Sequence, residues 1–316
     1  MSLGPVVVLA GGVGAARFLR GLVRVVSPDE IVIIGNTGDD MWWHGLYIAP
    51  DLDTVTYWLA GVADEVRGWG IRDDTFNAQA ALARLTEASW FQLGDRDLAT
   101  HLYRTGRLTS GVPLHAVTAE LAQRLGVRSR ILPMSDDPIE TRLKTEAGDL
   151  HFQEYFVRER YRPRVREIYW TGLDAARPAP GVAEALSASR AVLIAPSNPS
   201  ISIGPILRVP GMRELVAAVR DRTVAISPVI AGRAVKGPTV ELLRAEGIRP
   251  DALGVAEVYR DVARGFVLDS ADASLAPAIA ALGYRIAVRP TMLDDGEAAR
   301  EVARAALDIL QQPAAA

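Results

Sequence analysis

The chain has 316 residues, of which 49% are hydrophobic and 23% charged, and a formal net charge of -3. That is an ordinary globular composition with room for a sizeable core, and it gives no electrostatic reason to expect a nucleic-acid partner. Zero cysteines exclude disulfides, thiolate metal sites and cysteine nucleophiles, and no apolar run approaches the ~20 residues that span a bilayer. No signal-peptide pattern opens the chain, so the expected setting is cytoplasmic, without a membrane partner.

The first stretch, PVVVLAGGVGAARFL from Pro5 to Leu19, reads as strand, phosphate loop and helix. Val6 to Leu9 form the short β-branched run of a strand buried on both faces, and Ala15, Phe18, Leu19 and Leu22 recur at helical intervals. Gly11, Gly12 and Gly14 permit close approach of an anion to the free amides that open the helix, or else they form a tight structural turn. Arg17 stands where a dinucleotide fingerprint wants a third small residue, and no Gly-Lys-Ser/Thr follows to make a P-loop.

A second apolar run, Ile31 to Ile34, ends in Gly35-Asn36-Thr37-Gly38-Asp39-Asp40. Small polar residues at the carboxyl end of a strand are where open α/β sheets bind ligands, unless these only turn the chain. From Asp51 onward, Leu52, Val55, Leu59, Val62 and Val66 share one face of a predicted helix. Asp51 and Asp53 fall at its N-terminal end, where they either cap it or form a pair able to hold a metal ion or a ligand hydroxyl. A mainly helical stretch follows, containing Trp69, Asp74-Thr75-Phe76 and Trp90-Phe91-Gln92-Leu93-Gly94-Asp95-Arg96-Asp97. Aromatics beside a glycine turn and charges suggest a pocket wall.

The ILPM run after Arg130 ends in Ser135-Asp136-Asp137, a helix cap or a cation site. Residues 142–170 read as a hairpin around Ala147-Gly148-Asp149 and then a basic extended segment. In it Arg158, Arg160, Arg162, Arg164 and Arg166 alternate at period two. Such a run is a solvated face or meets a neighbouring subunit's acids, with phosphate binding the sharper alternative. The strand Ala191 to Ala195 ends in Pro196-Ser197-Asn198-Pro199-Ser200, and the runs Val224 to Ile230, Gly265 to Leu268 and Arg285 to Val288 alternate with helical stretches, the last from Gly296 to Gln311. Strand-helix alternation predicts an α/β, Rossmann-like fold: a mainly parallel sheet with helices on both faces, in one domain over 1–316. Inserted helical and hairpin elements are expected at about 52–128 and 140–188.

The four histidines, His44, His101, His115 and His151, show no HExxH or paired spacing, and no Gly-x-Ser-x-Gly elbow appears. What remains is a set of Gly-, Asn-, Ser- and Asp-rich strand ends, which suit phosphates and a hard cation such as Mg²⁺. Phosphoryl transfer needs in-line placement and positive charge on the developing oxygens more than covalent help.

The ordered blocks LAGGVGAARFLRGL, GNTGDD, APDLDTVTYWLAG, GWGIRDDTF, WFQLGDRDLATHLYRT, LPMSDDP, HFQEYFV, APSNPSISIGPIL and AISPVIAG resemble the 2-phospho-L-lactate transferase family of coenzyme F-420 biosynthesis, from about Val6 to about Glu257. The resemblance implies transfer of a phospholactyl or phosphoenolpyruvyl group from a guanosine diphosphate-linked donor to the terminal ribityl hydroxyl of the deazaflavin Fo. GMP is released, and Mg²⁺ is the implied cofactor. It places acceptor binding on Asp53 and on Gln92, where some relatives carry Lys. It puts the donor phosphates on Gly11, Gly12, Gly14, Asn36 and Thr37, and guanosine near Ser197 and Asn198.

For the metal it leaves Asp39, Asp40, Asp51, Asp53, Asp136 and Asp137. Asp53 ranks first because it can also orient the attacking hydroxyl, with Asp51 the second catalytic carboxylate. The arginine- and alanine-rich composition leans toward an actinobacterial member and the enolpyruvyl donor, and a homodimer is the expected assembly. The rival reading is a non-catalytic nucleotide-sugar-binding regulator, which would keep the nucleotide loops without the acceptor blocks. Two substitutions are expected to leave the fold intact: Gly14→Val, which should weaken GDP binding, and Asp53→Asn, which should barely move stability whether Asp53 is a cap or a chemical residue and should depress turnover only in the second case.

Overall fold

The computed structural model describes residues 4–235 and 237–311. Seven strands form one parallel sheet: β1 (Val6–Ala10), β2 (Ile31–Gly35), β3 (Arg130–Pro133), β4 (Ala191–Ile194), β5 (Thr223–Ile226), β6 (Gly265–Leu268) and β7 (Arg285–Val288). Their spatial order is β3-β2-β1-β4-β5-β6-β7. The order reverses between β1 and β4, and a doubly wound sheet opens its ligand crevice at that switch point.

Alternation along β1 divides the core into two layers. Val7 and Leu9 join one, with Ile194, Ile206 and Phe266, while Val6, Val8 and Ala10 join the other, with Phe18, Leu22 and Val302. Helices α1 (Gly12–Leu22), α2 (Pro50–Leu59) and α4 (Gly296–Ile309) contribute to the second layer, and α3 (Asp95–Thr109) packs beside it. This confirms the α/β, Rossmann-like expectation.

Two groups of elements interrupt the sheet. Between β2 and β3 lie the hairpin Met41–Trp43/Leu46–Ile48, α2, α3 and neighbouring helices. Between β3 and β4 lies an antiparallel three-stranded sheet of Glu140–Thr145, Gly148–His151 and Val165–Thr171. The helix Val182–Ala188, assigned to the second insertion from sequence, instead packs Val182 and Leu186 into the main core.

Two local expectations are corrected. The helix expected to carry Val62 and Val66 ends at Leu59, because Gly61 turns the chain in the left-handed region at φ +70°, and Val66 is 96% exposed. The basic segment is not extended through its arginines. Glu154–Arg158 is a π-helical turn, Arg160 and Tyr161 are left-handed, and the strand begins only at Val165. Phe152, Phe156 and Tyr161 stack successively, with centroids 5.5 and 5.9 Å apart, and this stacking holds the turn in place.

Helices α1 and α4 touch backbone to backbone at Gly21, where an added Cβ would stand 2.1 Å from the carbonyl carbon of Ala299. Helix propensity alone would make Gly21→Ala stabilising by about 1 kcal/mol. The close approach reverses the sign: thermal or denaturant unfolding is expected to show a net loss of about 1–3 kcal/mol.

Candidate active site

The chain leaves β1 at Gly11, which precedes α1 in extended conformation and provides no side-chain cap, so the amides of the first turn of α1 face the crevice without one. Gly12 adopts φ +66°, which favours glycine. Ser197, in the loop after β4, donates its hydroxyl to the carbonyl of Gly11 at 2.7 Å. A Cβ on Gly14 would meet the Pro196 carbonyl oxygen at 2.4 Å. The loops of β1 and β4 are thus pressed together at the switch point. Gly14→Val is not a fold-neutral change, contrary to the sequence expectation, because backbone occupies the space a side chain would need.

Helix α2 begins beside this loop, with Ala49 as its N-cap and no side-chain cap hydrogen bond. Asp51 and Asp53 therefore do not cap it; each is engaged from outside the helix. Asp51 accepts from the Asn36 amide at 2.9 Å. Asn36 also donates to the Ile201 carbonyl at 3.2 Å and accepts from the Gly38 amide, so its whole head group is committed to holding Asp51. Burial pushes the Asp51 carboxyl up to about 6, against hydrogen bonds from Asn36 and the Gly12 amide. Burial also raises Asp39, reinforced by the charges of Asp51 and Asp40. It raises Asp40 too, against a hydrogen bond from Tyr47. One oxygen of Asp39 and one of Asp40 are buried without a hydrogen-bond partner.

Asp53 has the opposite surroundings. Both of its oxygens accept from Arg104, one at 3.0 Å from Nη1 and the other from Nη2. Arg104 comes from α3 and is only 2% exposed. Asp53 has both oxygens taken by a guanidinium, whereas the orphaned oxygens among these aspartates belong to Asp39 and Asp40. The sequence ranked Asp53 first for a metal, while the free carboxylate oxygens stand on Asp39 and Asp40.

A cavity of about 550 Å³ occupies the crevice. Of the residues singled out from sequence, Gly11, Gly12, Gly14, Asp39, Asp51, Asp53, Gln92, Ser197 and Asn198 line it. Asn36, Thr37 and Asp40 stand behind its wall, so Asn36 and Thr37 support the site and do not present their side chains to a phosphate. Asp136 and Asp137 are elsewhere. Asp136 accepts from the amide and ring of His115, and Asp137 from the Arg177 amide at 2.9 Å. The aromatic wall expected from sequence is present in Trp69, Trp90 and Phe91. Asn198 holds its own loop, accepting from Ser200 and donating to Thr239.

Sequence reasoning gave no individual role to Tyr57, Asp97, His101 or to Phe152, Gln153, Phe156 and Val157 in and beside the π-helical turn, all in the cavity lining. The i, i+4, i+7 spacing of Asp97, His101 and Arg104 was a legible signal, since it puts three ionisable groups on one helix face. Among the described residues no group of three carboxylate or imidazole side chains is arranged to hold a metal ion. Mg²⁺ does not require such a cage: it is commonly bound by one or two carboxylates with substrate phosphates and water.

Residues 6–276 match the family described as 2-phospho-L-lactate transferase CofD. The chain belongs to that family, and it is a transferase. It is 46% identical to a phosphoenolpyruvate transferase of Kitasatospora aureofaciens over 97% of this chain and 98% of that one. It is 38% identical to a 2-phospho-L-lactate transferase of Methanosarcina mazei, over 94% and 97% respectively. A crystal structure of a upf0052-family protein from Bacillus halodurans superposes with a TM-score of 0.66 at 18% identity, covering 97% and 99% of the two chains. That likeness concerns the fold alone. Among the described residues of this CofD-family transferase, no helix is long and apolar enough to cross a membrane.

Two substitutions separate the carboxylates. Asp53→Asn leaves the buried Arg104 charge without its partner, so a loss of about 3–5 kcal/mol is expected in denaturant unfolding. This replaces the near-neutral effect expected of a cap. Asp51→Asn acts in the other direction. A carboxyl whose folded pKa lies above its unfolded value contributes stability that is full below pH ~4 and lost as pH rises through about 6. The ligand-free variant is therefore expected to be more stable than wild type at pH 7.5, by up to on the order of 3 kcal/mol, with the gap narrowing at pH 5. Melting curves at the two pH values check this.

Proposed function

We propose that this transferase moves a phosphoenolpyruvyl group from a guanosine diphosphate-linked donor to the terminal ribityl hydroxyl of Fo, releasing GMP. The observation that carries the reading is the meeting, in one cavity, of the glycine loop that opens α1, Asp39, Asp51 and Asp53, and an aromatic wall. The glycine loop and Arg17 in the cavity lining suit a polyanionic donor, and Trp69, Trp90 and Phe91 suit a flat heteroaromatic acceptor. Gln92 follows Trp90 and Phe91 in the same wall and offers that acceptor a neutral amide. Actinobacterial relatives at 46% and 42% identity are named for phosphoenolpyruvate, which favours enolpyruvyl over lactyl.

In this reading Asp53, fixed by Arg104, accepts a hydrogen bond from the ribityl hydroxyl next to the terminal one and so orients the attacking hydroxyl, whose own proton faces Asp51. The hydroxyl oxygen bonds to the donor's distal phosphorus as the phosphoanhydride bond breaks, and that electron pair leaves on GMP. The hydroxyl proton passes to Asp51, whose raised pKa near 6 suits a general base at neutral pH. The residues present fit a divalent cation at Asp39, with its orphaned oxygen and crowded negative charge. Such a cation would neutralise charge developing on the donor's phosphate oxygens. The reaction is assigned to the cytoplasm, with the enzyme as a homodimer.

Mass spectrometry after incubation with Fo, the enolpyruvyl donor and Mg²⁺ is expected to show Fo gaining the phosphoenolpyruvyl mass with stoichiometric GMP. EDTA is expected to abolish the conversion. Nucleotide binding with Fo unchanged would instead establish the regulator reading.

A further inference from the structure

Helix α3 is an unusual surface helix, because its buried side chains are Asp97, His101 and Arg104 and none is apolar. An amphipathic helix ordinarily buries hydrophobic residues, and burying ionisable groups is unfavourable unless each finds a partner. Here they form an ordered chain. Tyr57 donates its hydroxyl to Asp97 Oδ1 at 2.7 Å. His101 Nε2 lies 3.1 Å from the same oxygen, though without good hydrogen-bond alignment. Arg104 Nη1 lies 3.2 Å from His101 Nδ1 and donates to the Tyr47 carbonyl at 3.4 Å, and the guanidinium grips both oxygens of Asp53.

The chemistry of these groups sets the protonation pattern. A guanidinium has only donors, so His101 Nδ1 accepts from Arg104, and the ring proton sits on Nε2, facing Asp97. Asp97 thereby selects the tautomer that lets His101 Nδ1 accept from Arg104 Nη1, beside Asp53 Oδ2 at 3.7 Å. All five side chains are buried, and Tyr57, Asp97, His101 and Asp53 all reach the cavity wall.

We infer that His101, held by Asp97, is a positioning residue that fixes Arg104, and through it the carboxylate of Asp53, for the acceptor hydroxyl. The inference rests on the reading of Asp53 as an acceptor-binding residue. It assigns the buried charges of α3 to the acceptor half of the cavity and leaves the glycine loop, where the nucleotide binds, independent of them.

The test compares His101→Phe with His101→Asn, whose side-chain oxygen can still accept from Arg104 near the position of Nδ1. The readouts are kcat and KM for Fo at saturating enolpyruvyl donor and Mg²⁺, GDP affinity by calorimetry, and melting temperature. For His101→Phe, kcat/KM for Fo is expected to fall at least 30-fold with GDP affinity within twofold of wild type, and His101→Asn is expected to recover much of the loss. Should His101→Phe not fold, Asp97→Asn, which keeps the volume, replaces it and is expected to lower kcat/KM for Fo at least fivefold with GDP binding intact. Unchanged kcat/KM for Fo, a parallel loss of GDP affinity, or no recovery by Asn would overturn the positioning role. Wild-type enzyme that leaves Fo unconverted would instead overturn the acceptor reading on which it rests.

Discussion

The buried ion pair between Asp53 and Arg104 links the two parts of the molecule that form the cavity. Asp53 belongs to α2, which is anchored to the sheet through Leu52 and Val55, and Arg104 belongs to α3, which lacks an apolar buried face. Without the pair, α3 would dock mainly through partly buried leucines such as Leu98 and Leu108, and the wall carrying Trp90, Phe91 and Gln92 would lose its reference to the sheet. A buried pair of this kind contributes little net stability against an apolar replacement, yet breaking it by removing one partner is strongly destabilising. Its consequence is geometric: it sets the distance between the switch-point loops and the acceptor wall.

Against that paired carboxylate stand three that crowd one another. Asp39, Asp40 and Asp51 are buried together; burial raises the proton affinity of all three, and neighbouring carboxylates raise it further for Asp39 and Asp40. Hydrogen bonds from Asn36, Thr141, Tyr47 and the Gly12 amide, and the charge of Arg104 near Asp40, offset this in part. The fold therefore carries electrostatic strain at the carboxyl end of β2 that a polyphosphate with its counter-cation would relieve, while Asp53 a short distance along α2 needs no such relief. Two aspartates two residues apart in one helix turn thus have different chemistry because different elements face them.

Much of this arrangement was legible in the sequence. The apolar runs that became β1, β2, β4, β5 and β6 were visible because strands buried on both faces must be continuously hydrophobic; the half-buried edge strand β7 showed as a shorter run. The polar loops that follow them were identifiable as site loops because parallel strands deliver their carboxyl ends to one edge. The basic run at 158–166 misled, since its period of two is a strand signal only where the backbone is extended. Here stacking of Phe152, Phe156 and Tyr161 holds a π-helical turn and two left-handed residues instead. Local periodicity carries no information about such stacking. The helix over Val62 and Val66 failed for a related reason: apolar spacing continued past the glycine at which the backbone turned.

By itself the sequence determined the family, the doubly wound α/β class and most of the segments that meet at the cavity, because these follow from residue order, hydrophobic patterning and glycine placement. Only the tertiary structure decided what each aspartate does. Asp51 and Asp53 are indistinguishable by position in their helix, and Asp136 and Asp137 look as good as Asp39 and Asp40 along the chain. The difference lies in partners brought from 15, 21, 40 and 51 residues away, which commit Asp136 and Asp137 to structure, pair Asp53 with a guanidinium and leave oxygens of Asp39 and Asp40 unpartnered. A carboxylate's proton affinity and its availability to a ligand depend on burial and on the charges across the space it faces, and those are set when the chain folds.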